Sequence, residues 1–379
     1  MAPSDLVVFA EDWGGHPSST QHLVGHLLAS RRVVWVNSIG LRRPRLTQAD
    51  ALRAVRKLKA AVRPAVAGPG AAGPAASARP DNLTVISPLA VPWPGNPLAE
   101  RLNGLLLGAR LRPILAKAGI ARPILWASLP SAVAAVGRIG ERAVVYYCGD
   151  DFGALSGVDH APVLEMERRL VARADLVIAA SAELACRFPA AKTHLVPHGV
   201  DVDLFSRPAP RAADLPEGRV AGFYGSISDW LDLPMIAAAA AAMPDWIFVF
   251  VGPVRTDVSR LAALPNVRLL GPRPHAALPS YVQHWTVSLI PFRDTPQIRA
   301  CNPLKLREYL ASGTPIAATR FPALVPYEPL VCTIDPAAPL APAIHAAAGQ
   351  VDGAARRAAV ADEGWDRRAA AVDALLSNL

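Results

Sequence analysis

Arg299-Ala300-Cys301-Asn302-Pro303-Leu304-Lys305-Leu306-Arg307-Glu308-Tyr309-Leu310-Ala311-Ser312-Gly313-Thr314-Pro315-Ile316 decides how the chain is read. A polar loop carrying Arg299 and Asn302 gives way near Pro303 to a helical run, and proline suits the first position of a helix because its N–H would lack a partner there anyway. Gly313 is placed to end that helix in the left-handed conformation, and a strand follows from Pro315. Lys305 and Glu308, three apart, occupy neighbouring positions on one helix face. A cation near a helix N-terminus can meet a diphosphate. A carboxylate one turn on can accept hydrogen bonds from a ribose diol. In open α/β sheets ligands gather beyond the carboxyl ends of the strands, where such loops and helix starts converge.

Outward from this stretch, short β-branched runs alternate with longer alanine- and leucine-rich segments, the pattern of a parallel α/β architecture. In the first half the runs are Leu6–Ala10, Val33–Asn37, Leu83–Ile86, Ile124–Ala127, Val144–Cys148, Leu176–Ala179 and His194–Val196. After the Pro-rich, charged stretch Arg207–Glu217 come Val220–Tyr224, Ile247–Val251, Val267–Leu270, Val287–Ile290, Pro315–Ala318 and Val331–Thr333. Several are apolar throughout, as strands covered on both faces are. Two doubly wound units are expected, residues 1–207 and then 208–355, with 356–379 reading as a closing amphipathic helix that carries Trp365. Within the first, Leu52, Val55, Leu58 and Val62 fall near helical spacing among Arg53, Arg56, Lys57, Lys59 and Arg63. This basic helix, 52–63, reads first as a solvated surface helix with a modest apolar inner stripe, and is also a candidate for contact with an anionic membrane surface. The Pro-, Ala- and Gly-rich 64–80 reads as a mobile loop.

Composition narrows the function classes. With 379 residues, 52% hydrophobic and 18% charged, the chain can bury two ordinary cores. The net charge of +8 suits nucleic acid, anionic membrane or phosphate-bearing substrates alike. The basic residues are scattered and not interleaved with aromatics, which argues against a nucleic-acid partner. Cys148, Cys186, Cys301 and Cys332 form no C-x-x-C pair and indicate neither zinc site nor disulfide framework. Leu6–Ala10 is short and is followed by Glu11 and Asp12, so it reads as a first strand and not a signal peptide. No apolar run reaches the roughly 18–20 residues of a membrane span. A cytoplasmic protein, peripheral on the inner face of the cell membrane, is the expected location.

Three other segments sit where chemistry would. After the first strand, Asp12-Trp13-Gly14-Gly15-His16-Pro17-Ser18-Ser19-Thr20 offers glycines for close approach, a capping serine and His16 for acid/base or hydrogen-bond duty. Gly149-Asp150-Asp151-Phe152 ends another buried strand, where ionised carboxylates suit sugar hydroxyls; helix capping or a salt bridge would explain them as well. Gly222-Phe223-Tyr224-Gly225-Ser226 opens the second half as strand and Gly-bearing turn, a candidate phosphate cradle through the amides of Gly225 and Ser226. It is not G-x-G-x-x-G, so a nicotinamide fingerprint is absent.

The run Asn302–Ile316 resembles the nucleotide-binding helix of retaining GT-B glycosyltransferases of family 4. Val196-Pro197-His198-Gly199-Val200-Asp201, with Asp203-Leu204-Phe205, is similar to the segment closing their N-terminal domain. The Gly222–Trp230 turn, Phe248–Pro253, Pro265–Gly271 and Leu278–Tyr281 are similar to successive units of their C-terminal domain. The first loop and Asp150-Asp151 resemble the teichuronic-acid-biosynthesis branch. The resemblance covers most of the chain. It implies a GT-B fold, two Rossmann-like domains facing a cleft, with 1–207 on the acceptor side and 356–379 crossing back to it on the anchor of Trp365. It also implies transfer of a sugar from a nucleotide-sugar donor, UDP above GDP, to a polysaccharide or lipid-linked acceptor with retention. Neither metal nor other cofactor is implied. Glu308 would hold the ribose, and Lys305 with Arg299 or Arg293 the pyrophosphate. Gly14 and Gly15 would approach the donor, and catalysis would rest on positioning and on stabilising the departing diphosphate.

The sequence departs from that pattern in places. The first glutamate of the E-x7-E motif would stand at 300, where Ala300 is found. This departure motivates the alternative reading, a GT-B scaffold that binds a nucleotide sugar or a partner without transfer. Trp126-Ala127-Ser128 stands where a histidine is often found, and Asp201-Val202-Asp203 spells D-x-D inside the segment already assigned, so it is not read as a metal motif.

Overall fold

In a computed structural model of the protein the described residues are 3–15, 18–41, 80–155 and 157–379. They fall into two compact units, Met1–Pro197 with Arg368–Leu379, and His198–Arg367. His16, the basic helix at 52–63 and, apart from Pro80, the loop at 64–80 lie outside the described residues.

The first unit is a seven-stranded parallel sheet in the order β3-β2-β1-β4-β5-β6-β7. Its strands are β1 Leu6–Phe9, β2 Val33–Val36, β3 Leu83–Ile86, β4 Ile124–Ala127, β5 Ala143–Cys148, β6 Leu176–Ala179 and β7 Thr193–Leu195. Leu6 pairs with Val33 on one side and Ile124 on the other, in register. Every residue of β1, β2, β4, β5 and β6 is buried, as their uniform apolarity requires of strands covered on both faces. Among the helices, α1 (Ser19–Leu27) is capped by Ser18, α2 spans Pro97–Lys117 with Asn96 as cap, and α3 spans His160–Arg173.

The second unit is a six-stranded parallel sheet in the order β10-β9-β8-β11-β12-β13. Its strands are β8 Arg219–Tyr224, β9 Trp246–Val251, β10 Val267–Gly271, β11 Val287–Ile290, β12 Ile316–Thr319 and β13 Cys332–Ile334. The longer helices are α4 (Leu233–Ala242), α5 (Leu304–Ser312) and α6 (Leu340–Ala348). All strands read from the sequence are present, with ends displaced by a single residue at most. The last helix, α7 (Trp365–Ser377), starts on a buried Trp365 packed against Gly199, and its residues from Arg368 onward count with the first unit. There Arg31, fully buried, donates through Nε to Asp373 at 2.9 Å.

Both sheets run outward from a central strand in opposite directions. The order reverses between β1 and β4 in the first unit and between β8 and β11 in the second. At such a reversal the connecting chains leave to opposite sides and open a crevice beyond the strand ends, the place where doubly wound folds bind ligands.

Candidate functional site

The second unit's reversal point brings the sequence-predicted Lys305 and Glu308 to the ends of β8 and β11. α5 begins at Leu304, with Pro303 as the cap residue rather than the first helical one, and ends at Gly313 with φ +78°. Lys305 thus sits in the first turn, half-buried, where the helix's free amides concentrate positive potential. Its Nζ lies 5.4 Å from the ring centres of both Phe223 and Phe292. Burial pulls the ammonium below its ordinary value, against the opposing pull of Glu308. Lys305 makes no hydrogen bond or ion pair with another described residue.

Glu308 is held on both oxygens. The Tyr224 hydroxyl donates to Oε2 at 2.6 Å and His275 Nε2 to Oε1 at 2.7 Å. Burial pushes this carboxyl up, but the hydrogen bond and charge of His275, with Tyr224 and Lys305, outweigh it and hold Glu308 below its ordinary range. His275 moves the opposite way: burial pulls it down, and Glu308 followed by Asp201 lifts it above its ordinary value. The result is an ionised carboxylate fixed in rotamer and orientation, with lone pairs to spare for further donors. Neither His275 nor Tyr224 was singled out by sequence. His275 opens a single 3-10 turn, His275–Ala277, after β10, 33 positions from Glu308, and no local pattern links them.

Gly225 reaches the same place by a route the sequence did not show. The expected cradle, strand then glycine turn then helix, is corrected: α4 starts only at Leu233, after a loop tied down by bridges from Ile227 to Val254 and from Leu231 to Phe292. The Gly225 N–H is already given to the Val251 carbonyl at 2.9 Å. What Gly225 supplies is room. Its φ is +124°, and a Cβ there would stand 3.2 Å from Lys305 Cε. Gly252, at φ +152°, packs so closely that a Cβ would fall 1.9 Å from the Gly225 carbonyl oxygen. Ser226 follows, half-buried.

The remaining predicted residues of this unit divide. The buried Asn302 accepts from Arg307 through its side chain, while its carbonyl meets His198 Nδ1 at 2.7 Å. Arg307 continues to Glu363 at 2.6 Å, which accepts from Tyr327 at 2.6 Å. Asn302 is therefore a brace between the α5 loop and the 198–201 segment. Arg299 is exposed and paired through two nitrogens with Asp294, both at 2.6 Å. Arg293 is exposed and leans toward the Asp229 carbonyl at 3.4 Å. Ala300 is buried, so the motif position without its carboxylate is packed shut. Asp201 caps the short helix Val202–Ser206 and Asp203 pairs with Arg207, which uses both carboxylates of the D-x-D locally. No group of three or more His, Cys, Asp or Glu among the described residues could hold a metal ion.

In the first unit, Gly14 at φ +76° gives its N–H to Gln21 Oε1 at 3.1 Å, and Gly15 gives its own to the Asp12 carbonyl at 3.2 Å. Asn37 and Ser38, beyond β2, hold the same turn through the Trp13 amide and the Asp12 carboxylate. Ser128, in the place of the histidine, bonds Thr20 at 2.8 Å and accepts from Trp126 at 2.9 Å, a buried tie across the reversal point. The adjacent aspartates part company. Asp151 is buried, ion-paired with Arg187 at 2.6 Å and accepting from the Gly153 amide at 2.9 Å. Asp150 is exposed on its outer side, yet desolvation by the surrounding protein, then the charges of Glu11 and Asp151, raise its carboxyl.

No family model matches the chain. Over 240 residues it is 34% identical to TuaH of Bacillus subtilis (strain 168), a protein named provisionally as a teichuronic acid biosynthesis glycosyltransferase; this takes in 56% of the chain and 60% of TuaH. A sucrose-phosphate synthase from Thermosynechococcus elongatus superposes with a TM-score of 0.70 at 18% identity, over 99% of this chain and 98% of that one. HepE of Anabaena, solved with UDP and glucose, superposes at 0.67 and 15% identity over 99% and 100%. The chain therefore has the GT-B fold of two Rossmann-like units, and in sequence it is a relative of TuaH.

Proposed function

We propose that the protein is a metal-independent glycosyltransferase that moves a sugar from a UDP-sugar to a saccharide or lipid-linked acceptor with retention of configuration. The observation that carries this reading is the pairing, on one turn of α5 at the reversal point, of a half-buried lysine without an ion partner and a carboxylate fixed by two donors. Glu308 would accept from the ribose diol while Lys305 and the start of α5 meet the diphosphate and take up its growing charge as the glycosidic bond breaks. Asp150, accessible where Asp151 is not, is the better placed of the two for a sugar hydroxyl. Gly14 and Gly15 keep their assignment to the donor, His16 its acid/base or hydrogen-bond role, and Arg293 and Arg299 theirs to the diphosphate, the latter after giving up Asp294. UDP is supported by the nucleotide bound in HepE, and a cell-surface polysaccharide by the name of TuaH. The protein would work at the cytoplasmic face of the membrane, with the basic 52–63 against anionic lipid.

The test is calorimetric titration with UDP, GDP, dTDP and ADP, for the wild type and Glu308→Ala. Selective binding of UDP that the variant loses is expected; binding of none, or binding unaffected by the variant, would sink the assignment. The packed Ala300 favours a second reading, a scaffold that binds the nucleotide without transfer. UDP binding without donor hydrolysis or transfer to any acceptor offered would support it.

A further inference from the structure

The Pro-rich, charged stretch 207–217 reads in sequence as a connector, yet in the second unit it is fastened to the short helix Pro279–Val282 and the residues just after it. Ala209 donates its amide to Gln283 Oε1 at 2.9 Å, and its carbonyl meets His284 Nε2 at 2.7 Å. The Ala212 amide is given to the Ser280 carbonyl at 2.9 Å. Gln283 returns two bonds from its side-chain nitrogen, to the Phe205 and Arg207 carbonyls, both at 2.8 Å. So many bonds make the stretch a strap laid on the second unit, not a free linker.

From this strap Asp214 reaches the chain after β10. It accepts from the Tyr281 hydroxyl at 2.6 Å through Oδ1 and from Arg273 Nη2 at 2.5 Å through Oδ2. Arg273 Nε donates in turn to the Tyr281 hydroxyl at 3.0 Å, so the three side chains close a ring. Arg273 stands two positions before His275 in Pro272-Arg273-Pro274-His275, a run stiffened by the fixed φ of its two prolines. The turn closes through the Ala277 amide to the Pro274 carbonyl at 2.9 Å and the Leu278 amide to the His275 carbonyl at 3.0 Å. From it His275 donates to Glu308, and the ring of Phe205, just before the strap, stands edge-on to His275 with 5.4 Å between centroids. The Arg273 and Asp214 side chains are 32% and 40% exposed, and an ion pair that open to water contributes little to global stability. Its effect is local. A displacement of about 1 Å at the turn would carry the 2.7 Å contact between His275 and Glu308 out of hydrogen-bonding range.

We infer that Asp214 and Arg273 are positioning residues for the proposed nucleotide site, holding the His275 turn so that Glu308 meets the ribose in one orientation. The inference rests on the UDP reading for its ligand and extends that reading to two side chains that make no bond to Glu308 themselves.

The experiment compares the wild type with Asp214→Asn, Arg273→Ala and the two combined. It reads UDP affinity by calorimetry, the titration of His275 by NMR in nucleotide-free protein, its signal assigned by loss in His275→Gln, and the thermal melt of each. Asparagine keeps a carbonyl oxygen for the Tyr281 hydroxyl and turns an amide nitrogen toward Arg273, so it breaks the clamp alone. Each single variant should weaken UDP binding about tenfold, the scale of one misdirected charge-assisted hydrogen bond, and the double variant should be no weaker than either. The His275 midpoint, pulled down by burial but lifted by Glu308 above 6.5 in the wild type, should fall, while the melting temperature moves by a few degrees at most. UDP affinity unchanged in both single variants, or lowered with the His275 midpoint unmoved, would overturn the inference. So would losses that add in the double variant, since the two side chains would then act independently. A wild type that binds no UDP would strike the nucleotide reading alone, and the His275 midpoint would still decide whether the clamp holds the turn.

Discussion

Glu308 and His275 form the most consequential pair in the second unit, because one charge makes the other. Glu308 is stabilised as an anion above its ordinary 4.5, a contribution lost as pH falls through its depressed folded value. His275 is stabilised as a cation below its ordinary 6.5, a contribution lost as pH rises through its raised folded value. Both are present together between those two ordinary values. The groups facing the pair are Tyr224, Lys305 and Asp201, with Tyr309 behind Tyr224. His275→Gln should therefore lower the melting temperature most within that window, and the difference from wild type should shrink as the pH climbs through the raised folded value of His275. A difference that stays constant across pH would show that the histidine acts by packing alone. Lys305→Ala should weaken UDP binding by roughly tenfold to a hundredfold, the scale of a lost charge-assisted contact, with little change in stability. Calorimetry and thermal melts on the same samples separate the two effects. Lys305 and Glu308 were legible in sequence because both lie on one helix and the helical repeat places them. His275 and Tyr224 were not, since they arrive from the ends of other strands.

At the scale of elements, the turn after β8 and the start of α5 depend on contacts that only small residues allow. Gly252→Ala would combine a φ of +152° with a Cβ 1.9 Å from the Gly225 carbonyl, and should cost roughly 2–4 kcal/mol in urea unfolding. An unchanged midpoint would contradict the close approach of the two loops. The α5 loop is held by the chain His198–Asn302–Arg307–Glu363–Tyr327. Arg307→Ala leaves Glu363 without its cation and Asn302 without its donor, so about 3 kcal/mol should be lost. UDP affinity should fall as well, because the first turn of α5 loses its brace. The sequence singles out Asn302 because it is polar, in a loop and before a helix; the fold gives its side-chain oxygen to Arg307, since buried polar groups are satisfied by whichever partner comes near.

At the scale of the whole molecule, the last residues of the chain complete the first unit. Arg31 has no exposed side-chain surface, and Asp373 is the anion beside it, with Nη2 at 2.7 Å. Asp373→Ala should cost about 2 kcal/mol, and truncation after Arg367 should cost more and render the first unit protease-sensitive while UDP binding by the second persists. Equal resistance of truncated and full chains would remove that role from the C-terminal helix. The sequence by itself determined both parallel sheets, since strands buried on two faces must be apolar along their whole length and the runs between them must be long enough to cross over. It also placed α5 and its two charges, because capping and helical periodicity are local. Only the tertiary structure decided which polar residues stay open to a ligand. Asp150 from Asp151, and Lys305 from Asn302, are separated by which neighbours arrive from distant strands to satisfy them, and hydrogen bonding between distant residues leaves no periodic trace in the chain.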